Sequence, residues 1–162
     1  PDARFLRAAA GAFRGDSILV ISAECGNEEV RRRNRGVPFS NRALLDALRR
    51  VDDAGLQGHV FLSAGLPFET PAMVNETEAL IGRILTSTRA AVTVCPMDLD
   101  PGSRLFLEPE ALGVTPFLRT FRDFYEDGYT EPRPHYATAH MTEAEILAAV
   151  HRLTAAVHGL GG

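Results

Sequence analysis

The sequence predicts an α/β fold with three parallel strands, covering helices and a helical C-terminal tail. Three observations predict it. Three short apolar runs rich in β-branched residues occur in order, SILVISA, HVFLSA and AVTVC. Segments of helical hydrophobic period lie between and after them. Each run also ends in a polar, glycine- or proline-containing stretch. Strands that alternate with helices of this length imply parallel pairing with right-handed crossovers.

Residues 2–13 place Phe5, Leu6, Ala9 and Phe13 at helical spacing, and Gly15 closes the segment. Residues 17–23 form the first strand, followed by a short, very polar helix over 28–34. Ser40 starts another helix, with Leu44, Leu45, Leu48 and Val51 as its apolar stripe and Gly55 as its stop. The second strand covers 59–64. A long helix over 71–86 follows, with Met73, Leu80, Ile81 and Ile84 inward and Pro71 in its first turn, where a missing N–H costs nothing. The third strand, 91–95, is halted by Pro96. Residues 97–134 read as irregular, with short helices near 108–112 and 116–125. Thr142 and Glu145 form a capping-box pattern that opens the last helix, through His158, with Ile146, Leu147, Val150, Leu153 and Val157 buried. Three strands alone leave two open edges, so partner strands are expected upstream in a longer polypeptide.

At 162 residues the chain is long enough for one domain with a core, and 45% hydrophobic residues argue against disorder. A net charge of -4 and a pI of about 5.7 give no basic surface of the kind nucleic acid requires, and every basic residue is Arg, from which nothing about function follows. No apolar run reaches the roughly 18 residues of a membrane helix, so neither nucleic acid nor membrane is expected as a partner. The two cysteines, Cys25 and Cys95, lie far apart and form neither a metal-ligand pair nor a disulfide framework. Reduced thiols suit a cytoplasmic location. No signal peptide is recognisable, and the chain opens on Pro1 directly before a helical pattern, which reads as a domain boundary.

In parallel α/β folds the chemistry collects at the carboxyl ends of the strands. These ends are Ser22-Ala23-Glu24-Cys25-Gly26-Asn27, then Ser63-Ala64-Gly65-Leu66-Pro67-Phe68-Glu69-Thr70, then Cys95-Pro96-Met97-Asp98-Leu99-Asp100-Pro101-Gly102-Ser103. Glu24 closes an apolar strand, where a carboxylate needs a partner. It is an acceptor for ribose hydroxyls or an ammonium group, or it pairs with one of Arg31 to Arg35. Gly65 and Pro67 allow close backbone approach to a ligand, or simply turn the chain. Asp98 and Asp100 fall on the same side of an extended stretch, as a metal pair or as solvated turn carboxylates. His135 and His140 are spaced too loosely for one helical face and suit surface or packing roles. The run Arg31, Arg32, Arg33 and Arg35 reads as a solvated helix face, one member of which is suited to clamp a carboxylate or phosphate.

Taken together, the three strand ends resemble the radical S-adenosylmethionine enzymes. Glu24-Cys25-Gly26-Asn27-Glu28-Glu29-Val30 with Asn34-Arg35-Gly36 is similar to their E-S-G-S-x-x-V/L and N-K/R-G segment. Gly65-Leu66-Pro67-Phe68-Glu69-Thr70 is similar to their G-x-P-G-E-T loop, and Asp100-Pro101-Gly102-Ser103-Arg104-Leu105, with Gly113 beyond, to their P-G-T/S-x-L segment. The resemblance spans residues 17–113. Its subgroup includes cobalamin-binding radical enzymes, methylthiotransferases and oxygen-independent coproporphyrinogen oxidase, and the tail from Arg119-Thr120-Phe121 most resembles the cobalamin-binding branch, which includes the tryptophan methyltransferases of thiopeptide pathways.

That resemblance implies a partial (β/α) barrel fragment. Residues 1–113 would be the later strand-helix units, about the fourth to sixth strands, and 114–162 an irregular and helical extension packed on them. It implies methyl transfer to a small molecule or natural product, with S-adenosylmethionine bound here. A [4Fe-4S] cluster and cobalamin would be held mainly by domains upstream in the same polypeptide. Glu24 would contact the ribose, and Arg35 would be a candidate for the carboxylate of S-adenosylmethionine. Ser63 and Gly65 would line its methionine or adenine side, Pro96, Met97 and Asp98 would pack on the adenine, and Ser22 would border the site. Cys25 stands where the pattern has Ser, which turns a hydroxyl hydrogen bond into a weaker thiol one, and Phe68 stands where it has Gly. The three-cysteine cluster motif is absent, and two distant cysteines cannot hold four irons. A C-x-x-x-C-x-x-C run roughly 100–150 residues upstream is expected from barrel unit lengths. Other readings are a cobalamin-free member of the family, methylthiotransferase-like or coproporphyrinogen-oxidase-like, a metal-dependent hydrolase built on Asp98, Asp100 and Glu24, and a non-catalytic interaction domain.

Overall fold

The computed structural model describes residues 1–13, 17–36, 39–126 and 133–160. The helix α1 (Ala3–Ala12) is capped by the Asp2 carboxylate, which accepts the Phe5 N–H at 2.8 Å. Then follow β1 (Ile18–Glu24), α2 (Glu28–Arg35), α3 (Asn41–Asp53), β2 (Gln57–Leu62), α4 (Val74–Ser87) and β3 (Ala91–Val94). Both strand pairings are parallel, in the order β1-β2-β3, with Val20 opposite His59 and His59 opposite Ala91. A mixed α/β fold with a three-stranded parallel sheet is therefore present. Among the described residues neither outer edge of the sheet pairs with another strand.

Alternation along the strands sends Ala23, Val60, Leu62 and Val92 into the core. There they meet Leu44 and Leu48 of α3 and Leu80, Ile81 and Ile84 of α4, all buried. Each such aliphatic side chain contributes about 1.5–3 kcal/mol by leaving water. The opposite face carries Ser22, His59, Phe61, Ser63 and Thr93. His59 Nε2 lies 2.7 Å from Thr93 Oγ1, and the His59 ring stacks on Phe61.

The remaining elements are α5 (Arg104–Leu107), α6 (Pro109–Leu112), β4 (Val114–Pro116), α7 (Phe121–Glu126), β5 (Tyr136–Thr138) and α8 (Glu143–Leu160). The Thr142 hydroxyl and Glu145 carboxylate cap α8 reciprocally, as the sequence predicts. Ile146, Val150 and Leu153 of α8 join the same core.

Several boundaries differ from those predicted. β2 starts earlier than residue 59, because Gln57 and Gly58 already pair with Ile18 and Leu19. Residues 71–73 form a turn closed by the Met73 N–H on the Thr70 carbonyl, and α4 starts after it. The helix expected over 116–125 is shorter: Pro116 ends β4, which pairs antiparallel with β5, and the helix begins at Phe121. The expected stop at Gly15 lies outside the described residues.

Candidate functional site

The loop after β1 is shaped by a buried arginine. Arg31 is fully buried, against the expectation of a solvated arginine face. Its guanidinium donates to the carbonyls of Ala23 (2.9 Å), Cys25 (2.5 Å) and Phe39 (2.8 Å) and to Asn41 Oδ1 (2.7 Å). The Phe39 ring lies under it at 4.5 Å. The physical reason is that β1 ends in a bulge and a tight turn, whose carbonyls need donors once they leave the ladder. Asn27 caps α2 through the Val30 N–H, and its amide reaches Glu76. Gly26 is required here: a Cβ would sit 2.3 Å from the Glu76 carbonyl oxygen.

The next residues of α2 tie β1 to the loop after β2. Asn34 donates to the Pro67 carbonyl at 3.0 Å. Arg33 lies 3.4 Å from the centroid of the Phe68 ring. Arg35 approaches Glu24 at 3.5 Å and donates to the Ser22 carbonyl. One short helix thus fixes the two loops relative to each other. Glu24 has φ 66 and Phe68 φ 69, the left-handed region.

The loop over 65–70 is held from within by Glu69. Its Oε2 accepts the N–H of Gly65 at 2.7 Å and of Leu66 at 3.3 Å. The Tyr136 hydroxyl donates to the Gly65 carbonyl at 2.9 Å. Gly65 has φ 83, and a Cβ there would lie 2.6 Å from the Ile146 side chain. Burial pushes the Glu69 carboxyl up to about 7, against the opposing effect of its two backbone donors.

A cleft of about 390 Å³ opens where these loops meet the segment after β3. Glu24 and Arg35 line it from the β1 side, Leu66 and Pro67 from β2, and Met97 and Asp98 from β3. Asp100, Ser103 and Arg104 complete its polar rim, and Leu105 and Leu112 its apolar wall. Asp98 and Asp100 both reach the cleft while Leu99 between them is buried, as alternation predicts. Burial first, and the Asp100 charge second, raise the Asp98 carboxyl; His135 opposes them.

Of the eight residues the resemblance marks, Glu24, Arg35, Met97 and Asp98 line the cleft. Ser22, Ser63, Gly65 and Pro96 do not. Ser22 lies on β1 and the buried Ser63 just beyond the end of β2. Gly65 is walled off by Ile146 and acts through its backbone. Glu24 pairs with Arg35, one of the arginines the sequence offers it, and also lines the cleft. Cys25 is fully buried, its thiol pushed up to about 12, with burial as the main cause. His140 is exposed in a turn, whereas His135 faces Asp98.

Sequence reasoning missed Arg31 and Glu69. The signal for Glu69 was its place in the G-x-P-x-E-T pattern; nothing marked Arg31 apart from its neighbours. No family model matches the sequence, and no curated protein matches it.

Proposed function

We propose that this chain is the S-adenosylmethionine-holding part of a radical S-adenosylmethionine enzyme, a methyltransferase of the cobalamin-dependent branch acting on a small molecule. In this reading the parallel sheet is a segment of a partial barrel. The observation that carries the proposal is the convergence of Glu24, Leu66–Pro67 and Met97–Asp98 on one cleft at the carboxyl ends of three parallel strands. Its volume lies within the usual range for small-ligand sites, about 300–1,000 Å³.

The donor set suits a nucleoside with an amino-acid tail. Glu24 accepts from a ribose diol, Met97 and Leu66 offer apolar surface to a flat base, and Arg35 and Asp98 offer opposite charges to a zwitterion. The described residues do not suit an iron–sulfur cluster: Cys25 is sealed in the interior and Cys95 is a single half-buried thiol. Cluster and cobalamin belong to other parts of the polypeptide in this reading, and the role of this chain is to bind and orient the cofactor. The metal-dependent hydrolase reading loses support, because Asp98, Asp100 and Glu24 form no metal-ligating group among the described residues.

The test is equilibrium binding of S-adenosylmethionine to the intact polypeptide to which this chain belongs in this reading, and to its Glu24→Gln variant. Binding should weaken by a few-fold to a hundredfold in the variant, the scale of one or two charged hydrogen bonds at about 1.5–3 kcal/mol each. Unchanged affinity makes Glu24 only a partner of Arg35, and absence of binding to the unaltered protein refutes the assignment.

A further inference from the structure

Glu69 is fully buried, yet only one of its carboxylate oxygens is used. Oε2 takes the N–H groups of Gly65 and Leu66, while Oε1 is buried with no hydrogen-bond partner among the described residues. The chain around it turns sharply, with strain at Phe68. Gly65 and Phe68, on either side of Pro67, both have positive φ, and the Phe68 ring is pinned under Arg33. Leu66 and Pro67, between those two points, are the β2 wall of the cleft. Glu69 is therefore the internal tie of that wall, although it does not line the cleft.

The groups facing Glu69 offer its negative charge no compensation. From the β1 end comes the Cys25 thiol, on which the charges of Arg31 and Glu24 also act. From β5 comes the Tyr136 phenol, on which the charge of Asp98 also acts. Burial also drives both the thiol and the phenol toward their neutral forms. A neutral carboxyl keeps Oε2 as acceptor for both amides without burying a charge. An ionised one leaves a bare anionic oxygen in an apolar interior, a cost relieved when solvent reaches it.

We propose that Glu69 is a positioning residue that locks the Leu66–Pro67 wall in its protonated form, and that losing this proton loosens the wall. Ligand affinity at the cleft then depends on pH near neutrality through a residue the ligand does not touch. That consequence rests on the cofactor reading above; the lock itself does not.

The test is amide hydrogen exchange over residues 64–70 of the unliganded protein at pH 6 and pH 8, corrected for intrinsic exchange. No ligand enters it, so its failure is separate from failure of the S-adenosylmethionine assignment. Closed and open carboxyls near 7 and 4.5 give a closing equilibrium that falls roughly tenfold across this interval. Protection over 64–70 should fall by that factor in the unaltered protein and stay constant in Glu69→Gln. Equal behaviour of the two proteins, or no change in either, overturns the proposal. Should Glu69→Gln fail to fold, the carbon-13 resonance of the Glu69 carboxyl decides. A midpoint near neutrality that also moves the Gly65 and Leu66 amides supports the lock, and a midpoint in the ordinary carboxylate range refutes it.

Discussion

The Arg33 guanidinium lies over the Phe68 ring at 3.4 Å, and the residue beneath it has φ 69. A bulky side chain in the left-handed region costs roughly 1–2 kcal/mol, and a cation over a ring returns about 0.5–1 kcal/mol at a partly exposed position. Phe68 also packs against the core. The prediction concerns two truncations. Phe68→Gly loses the ring but also the strain, whereas Phe68→Ala loses the ring and keeps the strain. The glycine variant should therefore be the more stable of the two by about 1 kcal/mol, the reverse of the usual preference for Ala over Gly. Urea unfolding midpoints of the two variants decide it, and an alanine variant of equal or greater stability contradicts the observed backbone.

Arg31 should be among the least replaceable residues of the chain. Removing its guanidinium strands the carbonyls of Ala23, Cys25 and Phe39 and the Asn41 side chain in the interior. Leaving buried acceptors without a donor costs about 1–3 kcal/mol each, and several are stranded together here, for a total of about 3–5 kcal/mol. Arg31→Met should lose that much stability in urea. Arg31→Lys should recover little, since one ammonium cannot span acceptors arranged around a planar fork. Recovery to within about 0.5 kcal/mol by lysine, the range of ordinary surface substitutions, would show that charge alone matters there.

What the sequence disclosed follows from which forces leave a periodic trace. The order and type of the main helices and the three parallel strands were legible because Leu44, Leu48 and Val51, or Val60 and Leu62, repeat at the period of their element. β4 and β5 are three residues each, too short for alternation to register, and β4 ends on a proline. They exist because Tyr136 is fully buried and its hydroxyl reaches Gly65, a contact far away in sequence. Arg31 reads like its exposed neighbours because its partners are backbone carbonyls, and any sequence supplies those. Four of the eight marked residues line the cleft; Ser22 lies within β1, Ser63 and Pro96 lie just beyond β2 and β3, and Gly65 is closed off by Ile146, placements that no periodicity in the sequence records. The positive φ of Phe68 was not read from the sequence, where Phe in place of the Gly of the resembled pattern left the shape of that loop open.

Gly26 and Gly65 should respond differently to the same substitution. A Cβ on Gly26 meets backbone of α4, the Glu76 carbonyl at 2.3 Å and the Thr77 nitrogen at 2.4 Å. The three atoms nearest a Cβ on Gly65 all belong to the Ile146 side chain, at 2.6–2.8 Å. Overpacking of this kind costs about 1–3 kcal/mol or more. Ile146→Ala should therefore offset part of the cost of Gly65→Ala, with a coupling of about 0.5–3 kcal/mol in a double-mutant cycle. The remainder is the φ of 83 that alanine must adopt. For Gly26→Ala the contact is with backbone, and truncating Glu76 should restore nothing. Additive behaviour of Gly65→Ala with Ile146→Ala would remove Ile146 as the neighbour in question.

The pH dependence of stability separates two groups of carboxylates. Glu69 is raised from 4.5 to about 7 by burial, so the folded chain holds its proton over an interval in which the unfolded chain has released it. Stability from this group is fully present below about 4.5, falls as pH rises toward 7, and is constant above. The difference corresponds to about 3 kcal/mol in order of magnitude. Glu29, Asp123 and Glu145 are shifted the other way: the Arg32 side chain holds Glu29 low, backbone N–H groups of Arg119 and Thr120 hold Asp123, and that of Thr142 holds Glu145. Their contribution is present above the ordinary carboxylate range and is lost as pH falls through their lowered values. The two trends place the stability maximum on the acid side of neutrality. Glu69→Gln keeps an acceptor for Gly65 and Leu66 and removes the titration, so its stability should be flat from pH 5 to 8 while that of the unaltered protein declines. Parallel profiles for the two proteins in chemical denaturation would assign the decline to another group.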